Sequence, residues 1–350
     1  MKNPELQKHS IGKLGSVRRK PVSISQEKLV ETGFLKPGQT IPLVVQPVVE
    51  GINLVTWATS NREIIETLLL EHRAILFRNF SVDTTAQFDQ FIKATSNKKL
   101  LEYRDRSSPR HEVGDKIYTS TDYPAEHSIF LHNEGTYWLS WPLKIYFCCI
   151  TAAQQGGATP IADCRNIFAR IDPKIRERFI QKQVLYVRNY NDGFGLTWQT
   201  VFQTKDKAKV EEYCRSNRIE FEWKDGDRLR TRQVRPAVAQ HPRTGEMVWF
   251  NHATFFHVST LEPMMRDTLL TEFKDEDLPN NTYYGDTSPI ELSVLDELRE
   301  AYRQEKVIFP WQEGDVLMLD NMSIAHGREP FVGPRKVLVG MAEPFSGTNS

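Results

Sequence analysis

The 350-residue chain has only four cysteines, Cys148, Cys149, Cys164 and Cys214, and none is spaced as CxxC. That argues against a cysteine-built zinc module and a disulfide scaffold. The thiols read as reduced, buried residues of a cytoplasmic protein. Charge of one sign is also missing, since 45 Lys and Arg balance 45 Asp and Glu. No global field therefore recruits nucleic acid or an anionic membrane. No apolar run approaches the roughly 18–20 residues of a membrane-spanning helix. The opening stretch, MKNPELQKHSIGKLGSVRRKPVSIS, lacks the apolar core of a secretory signal. Residues 1–25 read as a polar, poorly ordered lead-in, and 26–350 as one domain. There is no GxGxxG after the first strand-like run and no regular βαβ alternation, which argues against a dinucleotide-binding fold. HExxH, the usual zinc-hydrolase signature, is absent as well.

What is present is a series of short β-rich runs divided by Pro, Gly and polar residues. SNREIIETLLLEHR has apolar residues at helical spacing, with Ser60 placed to cap it, and leads into a strand at Ala74 to Phe77. A second helix follows in VDTTAQFDQFIKATS. IYTSTDYP, SIFLHNE and PLKIYFCCI are strand-like, as are EGDVLMLD and RKVLVGMAE near the far end of the sequence. Between them lies a mixed insertion at about 165–245, helical at DPKIRERFIQK and KAKVEEYCRSN with a strand at QVLYVRNY. Strands at both ends bracketing a mixed segment predict a mainly β fold with helices (α+β), built on a double-sheet jelly roll.

The stretch FLHNEGTYW places His132 two residues before Glu134, just after an apolar run. On a strand, residues i and i+2 share a face, so imidazole and carboxylate would point together. His326, in DNMSIAHGREPF, is the third candidate ligand. Two histidines and one carboxylate with open positions describe the facial triad of non-heme Fe(II) oxygenases. His127, His241, His252 and His257 compete for the role, although these read as satisfied surface or core histidines. Arg335, at the start of the next strand-like run, offers a bidentate partner for a carboxylate. Thr159, in GGATPIAD, offers a hydroxyl from a neighbouring strand. Taken singly, Arg335 reads as a surface arginine and Thr159 as a turn residue.

Six ordered blocks occur together: AILFRNF, IYTSTDYP, LHNEGTYWLSWPLKIYF, GGATPIADCR, HPRTGEMVWFNHATFFH and GDVLMLDNMSIAHGREPFVGPRKVLV. Through them the chain resembles the Fe(II)- and 2-oxoglutarate-dependent dioxygenases of the taurine dioxygenase (TauD/TfdA) superfamily. It looks closest to the branch of the syringomycin-type aspartyl hydroxylase. The resemblance implies a double-stranded β-helix core, His132, Glu134 and His326 as iron ligands, and Thr159 and Arg335 on the distal carboxylate of 2-oxoglutarate. Glu134 departs from the commoner Asp, as in clavaminate synthase. Iron halogenases carry a small residue there, so Glu134 argues against halogenation. The interval from His326 to Arg335 is shorter than in taurine dioxygenase.

The implied reaction uses 2-oxoglutarate and O2 to hydroxylate an unactivated C–H bond. Desaturation, epoxidation and oxidative rearrangement share the same cofactors and stay open, as does a non-catalytic jelly-roll binding protein. The branch resemblance implies an amino-acid-type substrate in natural-product biosynthesis, free or tethered to a peptidyl carrier protein. Arg110, Arg188, Asn251, His252 and Arg328 are the candidate substrate contacts. Asn251 and His252 sit in an aromatic loop, WFNHATFFH, placed to close over the metal.

Overall fold

The apolar run KIYFCCI has no polar alternation because both of its faces are covered. It belongs to the strand Ser140–Thr151, in the middle of an eight-stranded sheet. In this computed structural model, which describes residues 29–97, 100–101, 105, 111–120, 123–190 and 193–347, the sheet has a non-sequential order. It runs Val30–Phe34, Leu43–Pro47, Ala74–Phe77, Val316–Asp320, Ser140–Thr151, Lys336–Ser346, Ile117–Thr119, Glu112–Gly114. Among the described strands only Leu43–Pro47 and Ala74–Phe77 pair in parallel. The central strands come from the middle and the far end of the sequence.

The period of two in these strands separates two cores. Tyr146, Cys148, Val316, Met318 and Leu338 face the helices Leu54–Ser60, Arg62–His72 and Thr85–Thr95, meeting Trp57, Ile65, Leu69, Phe88 and Phe91. Ile145, Phe147, Cys149, Leu317, Leu319, Val337 and Val339 belong to the other core, on the side of the functional site. Thr84 starts the third helix with a capping box to Gln87. Ser60 does not cap the second helix as its sequence predicts. It ends the helix before, and Asn61 stands at the junction without a side-chain cap. The mixed segment forms a separate four-stranded sheet, Glu220–Lys224, Arg228–Arg235, Val184–Tyr190 and Asn280–Tyr284. Its last strand comes from beyond the expected 165–245 span. Among the described residues no helix is long and apolar enough to cross a membrane.

A three-stranded sheet positions the site: Ile129–His132, Ile324–Arg328 and Ile161–Asp163 in that order. His326 lies directly opposite His132 on one side and Ile161 on the other. The register slips just after His326, at Gly327. A Cβ on Gly327 would stand 2.5 Å from the Ile129 carbonyl oxygen, so only glycine permits this strand approach. Gly327→Ala is expected to part the two histidine strands at a cost of about 1–3 kcal/mol and to weaken metal binding. Chemical denaturation and metal titration check this; an unchanged midpoint contradicts it.

Candidate metal centre

His132 and His326 face each other across the antiparallel pair, with ring centroids 4.7 Å apart. Glu134 arrives differently from the expectation that it shares a strand face with His132. The strand stops at His132, and Glu134 opens the turn that follows. Gly135, at φ 71°, allows that turn, since a Cβ there would meet the Trp138 ring at 2.3 Å. Trp138 N–H closes it by donating to the Gly135 carbonyl at 2.9 Å. The turn brings the carboxylate back to the imidazoles, and one ligand atom from each of His132, Glu134 and His326 lies within 4.8 Å of the others. All three residues are buried.

The donor set fits Fe(II). His132 Nδ1 sits 2.8 Å from the Phe130 carbonyl oxygen. A carbonyl only accepts, so Nδ1 carries the proton and Nε2 keeps its lone pair for a metal. Two nitrogens and one oxygen grouped on one side leave the remaining positions of an octahedron to other ligands.

One cavity joins this cluster to the predicted 2-oxoglutarate residues. His132, His326, Thr159, Arg328 and Arg335 line it together with Ser120 and Phe147. Thr159 does not stand on a strand as expected; it lies in the extended stretch ahead of Ile161–Asp163. Its Oγ accepts from Trp311 Nε1 at 3.0 Å, which leaves the hydroxyl proton free to be donated elsewhere. Arg335 directly precedes the strand Lys336–Ser346. Its Nε donates to the Gly157 carbonyl at 2.8 Å and its Nη1 to Ser120 Oγ at 3.1 Å. Among the described residues no carboxylate pairs with it. Burial first, and Arg328 second, pull its guanidinium down to about 10. A half-buried cation in that state gains from an incoming anion.

The other candidates are largely committed. Arg188 is buried in an ion pair with Asp105 at 2.7 Å, among the rings of Tyr137, Tyr190 and Phe256. Burial holds the Asp105 carboxyl above its ordinary value even so. Arg328 lines the cavity, yet its guanidinium donates to the carbonyls of Tyr123, Pro124 and His127 at 2.8, 2.5 and 2.7 Å. Asn251 spends both ends of its amide on Ala237 and Ala253. His252 bonds the Thr136 hydroxyl, stacks on Phe256 and stands 5.6 Å from the His132 ring. Burial, then His132 and Arg188, keep it well below the usual imidazole range, hence neutral. His241 and His257 use their rings on Asp320 and Ser259. Arg110 lies outside the described residues.

Sequence reasoning missed Trp311, Ser120 and Phe255, whose ring stacks on His132 at 4.2 Å. Only the aromatic richness of NHATFFH hinted at the last of these.

Comparison with known proteins agrees with this geometry. The family described as Taurine catabolism dioxygenase TauD, TfdA family matches residues 39–342. The dapdiamide synthesis protein DdaC of Enterobacter agglomerans is 40% identical over 311 residues, covering 86% of this chain and 94% of that protein. A clavaminate synthase-like protein of Arabidopsis thaliana is 26% identical over 317 residues, covering 88% and 89%. The crystal structure of PvcB from Pseudomonas aeruginosa shares the fold, with a TM-score of 0.54 at 14% identity over 92% of this chain and 94% of that one. The family match over most of the chain, with the buried His–Glu–His cluster, makes this protein a member of the TauD/TfdA family and an enzyme of the Fe(II)- and 2-oxoglutarate-dependent dioxygenase class.

Proposed function

We propose that the enzyme hydroxylates an unactivated C–H bond of an amino acid or amino-acid-derived substrate in natural-product biosynthesis. The substrate is free or held as a thioester on a peptidyl carrier protein, as the likeness to the aspartyl hydroxylase branch implies. The core is read as a double-stranded β-helix, with residues 26–350 as one catalytic domain. The observation carrying this reading is the convergence of His132, Glu134 and His326 beside the cavity that holds Thr159 and Arg335. Dapdiamide synthesis by one relative supports a biosynthetic setting.

His132 Nε2, Glu134 and His326 would hold the iron. Bound Fe(II) couples oxidative decarboxylation of 2-oxoglutarate to activation of O2, so that C–H, O2 and 2-oxoglutarate become C–OH, succinate and CO2. Arg335 and the Thr159 hydroxyl hold the distal carboxylate of the co-substrate, with Trp311 orienting that hydroxyl. Phe147 and Phe255, packed on the two ligand imidazoles, exclude water from the reacting face. Glu134 fills the corner that a halide would need, which supports oxygen insertion over halogenation.

Arg335→Gln removes a charged bond worth about 1.5–3 kcal/mol. It should raise the KM for 2-oxoglutarate about 10- to 100-fold while Fe(II) affinity holds. Trp311→Phe should raise that KM by a smaller factor. An unchanged KM in Arg335→Gln would remove the arginine from the co-substrate site. His132→Ala and Glu134→Ala should abolish iron-dependent succinate formation, and normal turnover in either would overturn the ligand assignment. The substrate class is tested by supplying Fe(II) and 2-oxoglutarate with free and carrier-loaded amino acids and weighing the products. Gain of one oxygen atom is expected. Loss of two hydrogens identifies desaturation, and no product from any amino acid overturns the substrate class.

A further inference from the structure

We propose that Asn321, braced by Asn133, is the positioning residue that aims the Glu134 carboxylate at the metal. The proposal rests on the reading of Glu134 as an iron ligand. Because the strand ends at His132, the backbone of Glu134 has left the sheet ladder and the sheet no longer fixes it. The Asn321 side chain takes over that task. Its Oδ1 accepts from Glu134 N–H at 2.8 Å, and its Nδ2 donates to the Glu134 carbonyl at 2.9 Å. One planar amide therefore grips both main-chain groups of a single residue, as a neighbouring strand would. The same Nδ2 donates to the Pro142 carbonyl at 2.9 Å, which ties the far end of the turn to the same point.

Asn321 is itself held in place. Its main-chain N–H donates to the Leu143 carbonyl at 2.9 Å. Its carbonyl accepts from Asn133 Nδ2 at 2.7 Å, and Asn133 also contacts Cys164 Sγ. Asn133 and Asn321 are both fully buried. Asn133 lies between the two ligands His132 and Glu134, while Asn321 lies in the turn that feeds the His326 strand. The two asparagines thus join the segments that carry all three ligands.

The chemistry selects this side chain. Asp offers no donor, Ser reaches one group only, and Gln is one methylene too long for the same double contact. A glutamate needs this support more than an aspartate, because its extra methylene adds a torsion between backbone and carboxylate. Fixing its Cα from both sides leaves only the side-chain torsions for the metal to order.

The test uses the full chain and Co(II) as the probe, read by titration and by the Co(II) visible spectrum. Wild-type protein must bind Co(II) with a defined spectrum; failure there counts against the metal site itself. Asn321→Ala is expected to weaken Co(II) binding about 10- to 100-fold and to alter the spectrum. At saturating Co(II), 2-oxoglutarate affinity should stay close to wild type. Asn321→Asp keeps the acceptor for Glu134 N–H, loses both donations and should fall between. Leu69→Ala, in the core on the far side of the large sheet, provides a destabilised control whose Co(II) spectrum should not change. If Asn321→Ala binds Co(II) as wild type does, or no more weakly than Leu69→Ala, the positioning role is overturned. Should Asn321→Ala fail to fold, Asn133→Ala decides. It removes only the brace, and wild-type affinity and spectrum in that variant contradict the proposal.

Discussion

The site depends on one antiparallel register, in which His132 on Ile129–His132 lies directly opposite His326 on Ile324–Arg328. Opposed residues on such a pair stand about 5 Å apart. Two imidazoles far apart in sequence thereby become neighbours. The glycine at position 327 protects that register by letting the strands approach where any side chain would strike the Ile129 carbonyl. Everything else at the centre is added to this pair. Glu134 is carried back by a turn, and Phe147 and Phe255 wall the imidazoles. Arg335 and Thr159 border the open side.

Electrostatics distinguish the buried cations that carboxylates compensate from the half-buried Arg335. Arg78 is buried against Asp315, Lys144 against Glu66 and Glu343, and Arg188 against Asp105. Each is compensated by a carboxylate, as a buried charge requires. Arg335 is half-buried and, among the described residues, meets only a carbonyl and a hydroxyl; the buried Arg328 and Arg235 also lack a carboxylate, but several carbonyls occupy their guanidinium groups. The proposed function supplies a negative charge there, the distal carboxylate of 2-oxoglutarate. The same comparison separates Arg335 from Arg188, which looks equally available in the sequence and is already paired.

Much of this was legible in the sequence, though partly for a mistaken reason. The three residues that cluster, and the Arg335 and Thr159 that line the cavity beside them, could be picked out, and the runs around KIYFCCI and DVLMLD read as buried strands. Yet the His-x-Glu spacing predicts a continuing strand with Glu134 beside His132, and the backbone turns there instead. Strand order was hidden because the large sheet interleaves distant segments, and pairing of that kind leaves no local periodicity. Arg188, Arg328 and Asn251 looked like free polar groups because nothing in a sequence reveals which carbonyl or carboxylate a side chain has met. Trp311 and Asn321 were invisible for a related cause. Each meets its hydrogen-bonded partners only through folding.

The central claim is that one ion binds between His132, Glu134 and His326. Crystals grown without oxygen in the presence of Fe(II) and 2-oxoglutarate test it most directly, by anomalous scattering at the iron edge. The account predicts one strong peak bonded to His132 Nε2, a Glu134 oxygen and a His326 nitrogen, with the co-substrate's distal carboxylate on Arg335. A peak elsewhere, or iron held without Glu134, would contradict it.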